Sequence, residues 1–223
     1  MGSRTEAGFP RPPQFGISDF DELRIPTPDG EFLSAFLIRP SNKGIARNIT
    51  ILMFHGNAGN IGHRIPIARV LEENLGCNVL MLEYRGYGLS SGTPDEGGLM
   101  IDAQTGLDYI RKREDTKGSK IVVYGQSLGG AVSIQLVARN QQDGDVVGLI
   151  LENTFTSIRK LIPRYFTFIA SRILAVNGNI SAFPPARFLA PLCHQRWPSE
   201  ETLPQVTDIP ILFISGLKDE IVP

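Results

Sequence analysis

Lys120 to Gly130 reads KIVVYGQSLGG, an apolar run that ends in Gly125-Gln126-Ser127-Leu128-Gly129. Small residues two before and two after a serine let a strand turn into a helix so tightly that the hydroxyl is pushed clear of the backbone. A hydroxyl presented in this way can attack an acyl carbon. Negative charge then develops on the acyl oxygen, and main-chain N–H groups aimed at that oxygen stabilise it. The amide of Leu128, in the first turn of the helix that follows, is one candidate donor. The second is expected from the loop Phe54-His55-Gly56-Asn57-Ala58-Gly59-Asn60, through the main-chain N–H of Asn57. His55 and Gly56 are read as giving that loop its shape. Asp219, in Ser215-Gly216-Leu217-Lys218-Asp219 after an apolar run, is the carboxylate placed to orient a histidine, with Glu220 as the alternative.

These groups lie up to 164 positions apart, so a sheet must gather them. Alternating residues from Asp21 to Ile25, the turn Pro28-Asp29-Gly30 and the run Phe32 to Arg39 predict an antiparallel hairpin. Apolar runs at Ile49 to Phe54, Val79 to Glu83, Lys120 to Tyr124, Val147 to Leu151 and Ile211 to Ile214 predict further strands. Helical spacing covers Gly62 to Leu75, Gly97 to Arg113 and Ser127 to Asn140. Strand and helix in alternation, with strands almost wholly apolar, imply an α/β fold whose mostly parallel sheet carries helices on both faces. Ligands in such sheets bind beyond the carboxyl ends of the strands, where every group named above falls. Residues 1–16, with Pro10, Pro12 and Pro13, are expected to form a flexible lead-in, and residues 17–223 one domain. Within it, about 155–205 form a small cap, where Ile158, Leu161, Ile162, Tyr165, Phe166, Ile169 and Ile173 recur at helical spacing.

Composition narrows the partners. Lys and Arg total 22 against 23 Asp and Glu, so no net field favours nucleic acid. The one dense basic run, Arg111-Lys112-Arg113, falls at a helix end, where cations complement exposed carbonyls. Cys77 and Cys193 form no CxxC pair, which argues against a zinc site and a disulfide framework. No apolar run approaches the ~20 residues of a membrane helix, no signal-peptide layout is present, and Glu6 stands where a myristoylation signal wants Ser or Thr. A cytoplasmic chain is expected. Gly86-Tyr87-Gly88 and Gly92 miss dinucleotide spacing by one residue, and His55 and His63 are no metal-binding pair, so neither cofactor nor metal is expected. His63 and His194 do not occupy the triad histidine's place in chain order, and Cys193 is a poor nucleophile candidate beside His194.

In combination, HGNAGNIGHR (His55 to Arg64), EYRGYGLSSG (Glu83 to Gly92), YGQSLGGAV (Tyr124 to Val132), ENTFTSI (Glu152 to Ile158) and GLKDEIVP (Gly216 to Pro223) resemble the α/β-hydrolase superfamily. Within it they resemble the fungal bud-emergence (Bem) family, related to acyl-protein thioesterases. The likeness covers about 21–223, although Arg164 to Phe183 matches none of the family's motifs. It implies a serine hydrolase of esters or thioesters without a cofactor, with Ser127 as nucleophile, Asp219 as acid, and Asn57 and Leu128 as oxyanion donors. Small-molecule or lipid acyl compounds are the implied substrates, with acylated proteins a further class, and full-length relatives are often membrane-associated. The family also implies a helix, a strand and a histidine-bearing loop after the acid. The chain is therefore expected to lack the fold's final strand and helix and the triad histidine. A truncated or inactive scaffold that binds without turnover is the competing expectation.

Overall fold

The computed structural model describes residues 9–155 and 197–216. Within them one sheet of seven strands has the order β1-β2-β4-β3-β5-β6-β7. β1 (Phe20–Pro26) and β2 (Phe32–Ile38) form the expected hairpin, with Phe20 opposite Ile38 and Pro26 opposite Phe32. β2 runs antiparallel to β4 (Asn78–Leu82). From β4 onward the pairing is parallel, through β3 (Ile49–Phe54), β5 (Lys120–Gln126), β6 (Val146–Glu152) and β7 (Ile211–Ile214).

The apolar strands are apolar because both of their faces are covered. Ile51 and Met53 of β3 and Val79 and Met81 of β4 point to the side of α1 (Ile65–Leu75), against Ile61, Ile65 and Ala68. Their neighbours Leu52, Phe54, Leu80 and Leu82 point the other way. There they meet Leu99, Ala103, Leu107 and Ile110 of α2 (Glu96–Lys112) and Val132, Leu136 and Val137 of α3 (Leu128–Asn140). Burying such a side chain contributes about 1.5–3 kcal/mol, which is what makes the two-sided pattern binding on the fold.

Several boundaries differ from expectation, each for a local reason. The helix expected from Gly62 begins as a 3₁₀ turn, Ile61–Arg64, and becomes α-helical at Ile65, with Pro66 in the first turn where its missing N–H costs nothing. α2 starts one residue early because the Asp95 carboxylate accepts the Gly98 N–H at 2.9 Å. β5 runs on to Gln126, and Ser127 stands outside the helix expected to contain it. The basic run at the end of α2 binds carboxylates: Arg111 reaches Asp145 at 2.7 Å and Asp143 at 2.9 Å, and Arg113 pairs with Asp115 and Asp21.

Residues 9–16, expected in the flexible lead-in, instead pack on the domain. Phe9 is buried with its ring 5.7 Å from that of Phe36, Pro12–Phe15 form a 3₁₀ turn, and Arg69 donates to the Phe15 carbonyl at 2.8 Å. The expected cap helix, His194 and Cys193 lie outside the described residues. The chain is described again from Trp197, which is fully buried and whose main-chain N–H donates to the Glu96 carboxylate. A short helix, Ser199–Thr202, then leads to β7, whose Leu212, Phe213 and Ile214 remain exposed.

Candidate active site

β5 delivers Ser127 to the carboxyl edge of the sheet in a backbone conformation of φ 52°, ψ −113°. An L-residue adopts such a positive φ only at a cost of about 1–3 kcal/mol, so the surroundings must impose it. Tight packing on both sides does so. A Cβ on Gly125 would stand 2.3 Å from the Gly129 carbonyl oxygen, and one on Gly129 would stand 2.2 Å from that of Phe54. Only glycine fits at either place, which is the steric content of the spacing seen in the sequence. The Ser127 N–H donates to the Glu152 carbonyl at 2.9 Å, and the Ser127 carbonyl accepts the Thr154 hydroxyl at 2.9 Å and the Gly130 N–H at 3.0 Å. The bend is thus held from β6 as well as from α3.

The loop after β3 lies against this bend at Gly56, where an added Cβ would stand 3.4 Å from the Ser127 Cβ. Leu128 is buried at the first position of α3, where N–H groups lack partners within the helix and the helix dipole is positive. Asn57 is exposed, and its side-chain oxygen accepts the Tyr87 hydroxyl at 2.6 Å. Burial, and next the nearby Glu83, pushes the Tyr87 phenol up, so it remains a donor at neutral pH.

His55, expected to shape the loop, lies inside the fold. It is buried, its Nδ1 lies 2.7 Å from the Gly56 carbonyl, and its Nε2 lies 2.9 Å from the fully buried Glu83 carboxylate. His63 accepts the Asn60 N–H through Nδ1 at 3.2 Å, beside the same loop. Asp219 and Glu220 lie outside the described residues. The backbone that leads towards them is tied to the end of β6: Asn153, with φ 44°, donates its N–H to Ile214 at 2.9 Å and accepts the Gly216 N–H on its side chain at 2.8 Å.

Four partners escaped the sequence reading: Glu83, Tyr87, Thr154 and Glu152. Glu152 accepts from the Tyr124 hydroxyl and, at 3.2 Å, from Gln126, and burial raises its carboxyl above the ordinary range, with Arg64 opposing. Their one signal was position: Glu83 follows β4 and Glu152 ends β6, while Tyr87 and Thr154 lie in the loops just beyond those strands.

Comparison with known proteins agrees with the fold. Residues 46–182 match the hydrolase family model described as Serine aminopeptidase, S33. The chain belongs to the α/β-hydrolase family. Along its whole length this α/β-hydrolase is 43% identical to the Protein bem46 of Schizosaccharomyces pombe, of which it spans 67%. Over 92% of its length it is 39% identical to the Alpha/beta hydrolase domain-containing protein WAV2 of Arabidopsis thaliana, of which it spans 63%. The chain thus spans about two thirds of the length of these curated relatives. The fold is shared with a solved α/β-hydrolase of Vibrio vulnificus at a TM-score of 0.72 and 20% identity, over 93% of this chain and 67% of that one. Among the described residues, no helix of this α/β-hydrolase is long and apolar enough to cross a membrane.

Proposed function

We propose that the protein is a serine hydrolase of carboxylic ester or thioester substrates, working through an acyl-enzyme on Ser127. The observation that carries this reading is the strained φ of 52° at Ser127, held between two obligatory glycines directly under the Gly56 loop. Strain of this kind persists where presenting a side chain requires it. A cavity of about 220 Å³, lined by Ile134, Leu151, Phe155, Leu203 and Phe213 together with the polar Asn153, Thr154, Ser199, Glu200 and Ser215, lies beside Thr154 and is the candidate acyl pocket.

In the first half-reaction the Ser127 oxygen bonds to the acyl carbon, and the oxyanion is received by the N–H groups of Leu128 and Asn57. Collapse breaks the bond to the leaving group, which departs as alcohol or thiol with the proton given up by Ser127. Water then attacks the acyl-enzyme, releasing the carboxylic acid and restoring the hydroxyl. Asp219 is assigned to orient the base that moves these protons. Small-molecule and lipid acyl compounds are the substrate class, with acylated proteins included.

A second reading, a hydrolase scaffold that binds acyl ligands without turning them over, is favoured by one observation. Both described histidines sit in the loop's own contacts: His55 is buried with Nδ1 2.7 Å from the Gly56 carbonyl and Nε2 2.9 Å from Glu83, and the exposed His63 accepts the Asn60 N–H through Nδ1. A fluorophosphonate probe separates the two readings. The expected result is labelling of the wild type and none of Ser127→Ala; folded protein that resists the probe would overturn the hydrolase reading.

A further inference from the structure

The oxyanion loop must hold one N–H above Ser127, yet it carries glycines at Gly56 and Gly59, and Asn57 and Ala58 are exposed. Its anchorage comes from the stretch after β4, which has no part in the reaction scheme. Glu83 is fully buried. One of its carboxylate oxygens accepts the Ile61 N–H at 2.9 Å and the other lies at ion-pair distance, 2.9 Å, from His55 Nε2 without hydrogen-bond alignment, so a single carboxylate stands against both the loop's beginning and its end. The Tyr84 hydroxyl donates to the His55 carbonyl at 3.2 Å, and the Tyr87 hydroxyl donates to the Asn57 side chain at 2.6 Å. Gly88, with φ 43°, lets the stretch fold back this tightly, since a Cβ there would stand 2.5 Å from Glu83 Oε2.

We propose that Glu83 and Tyr87 are positioning residues for the oxyanion hole: Glu83 clamps both ends of the loop and Tyr87 fixes Asn57, so that the Asn57 N–H is held in register with Ser127. The proposal rests on the serine-hydrolase reading. A displacement of about 1 Å in such a donor can cost ~10²-fold in rate, so the anchors act on the reaction without touching substrate. The hydrogen-bond pattern also sets which substitutions are tolerated. The Gly56 carbonyl can only accept, so His55 Nδ1 carries a proton, and Nε2 meets whatever stands at residue 83. A glutamine there donates to Nε2 and still accepts from Ile61, whereas alanine does neither.

The test uses the full chain as wild type, Tyr87→Phe, Glu83→Gln and Glu83→Ala. Fluorophosphonate concentration series separate the maximal inactivation rate from probe affinity, and amide hydrogen exchange follows residues 56–61. Tyr87→Phe is expected to lower the maximal rate about 10-fold, with affinity changed less than about twofold and faster exchange in the loop. Glu83→Ala should lower the rate by ~10²-fold, and Glu83→Gln should restore both rate and protection. If Glu83→Ala does not fold, Tyr87→Phe and Glu83→Gln carry the comparison. Wild-type rates and unchanged exchange in Tyr87→Phe would overturn the proposal, as would a Glu83→Gln variant as impaired as Glu83→Ala. A wild type that resists the probe defeats the hydrolase reading instead; loop exchange that still quickens in the variants then preserves the clamp, and unchanged exchange removes it too.

Discussion

Ser127 concentrates the argument at the scale of the residue, because its reactivity and its strain have one origin. The bend that lifts the hydroxyl out of the backbone also holds φ at 52°. Removing the hydroxyl by Ser127→Ala leaves that strain, while Ser127→Gly relieves it. The glycine variant is therefore expected to be the more stable of two unreactive proteins by about 1 kcal/mol, part of the gain being offset by glycine's freer unfolded chain. Urea denaturation of the pair measures this, and equal midpoints would show that the bend is unstrained. The glycine pattern around the serine was legible in the sequence because the clash it avoids involves close neighbours. Glu83 was not, since in sequence it is one more acidic residue at the end of a strand, and its partners His55 and Ile61 are 28 and 22 positions away.

Elements were legible in order and type wherever periodicity is local, as in α2 and the apolar strands. α2 seats Leu107 at 0% exposure against the sheet, whereas Val70 on α1 is 58% exposed. Leu107→Ala should cost about 2–5 kcal/mol and Val70→Ala no more than about 0.5 kcal/mol, read from chemical denaturation. Similar costs at both sites would mean that α2 is not seated as described. Element ends follow long-range partners. Asp115, just after α2, is held down to about 2 by hydrogen bonding to Arg113 and then to Arg39 after β2, against an unfolded value of 3.8. A carboxyl whose pKa is depressed by folding contributes stability above its unfolded value and loses it as the pH falls through the folded one. The denaturation midpoint should therefore drop between about pH 4 and pH 2, and drop less in Asp115→Asn. Solvent screening keeps the difference small, and identical profiles would show that the cluster contributes nothing.

At the scale of the molecule, the two outermost strands among the described residues differ. β1 is backed by its hairpin partner and by α2, while β7 leaves Leu212, Phe213 and Ile214 exposed at 54%, 59% and 45%. Apolar surface next to a strand edge favours association, so sedimentation should show self-association that rises with concentration and is reduced in Phe213→Lys. A monomer at all concentrations would contradict this. The amino-acid sequence alone determined that strands and helices alternate, that a serine sits on a sharp bend between two glycines, and that a glycine-bearing loop follows β3, because sterics and periodicity act over a few residues. Only the tertiary structure decided that this loop lies against the serine at Gly56, that Glu83 and Tyr87 contact it, and that residues 9–16 pack on the domain. Those contacts join segments many residues apart, and they exist only once the sheet has brought its carboxyl ends together.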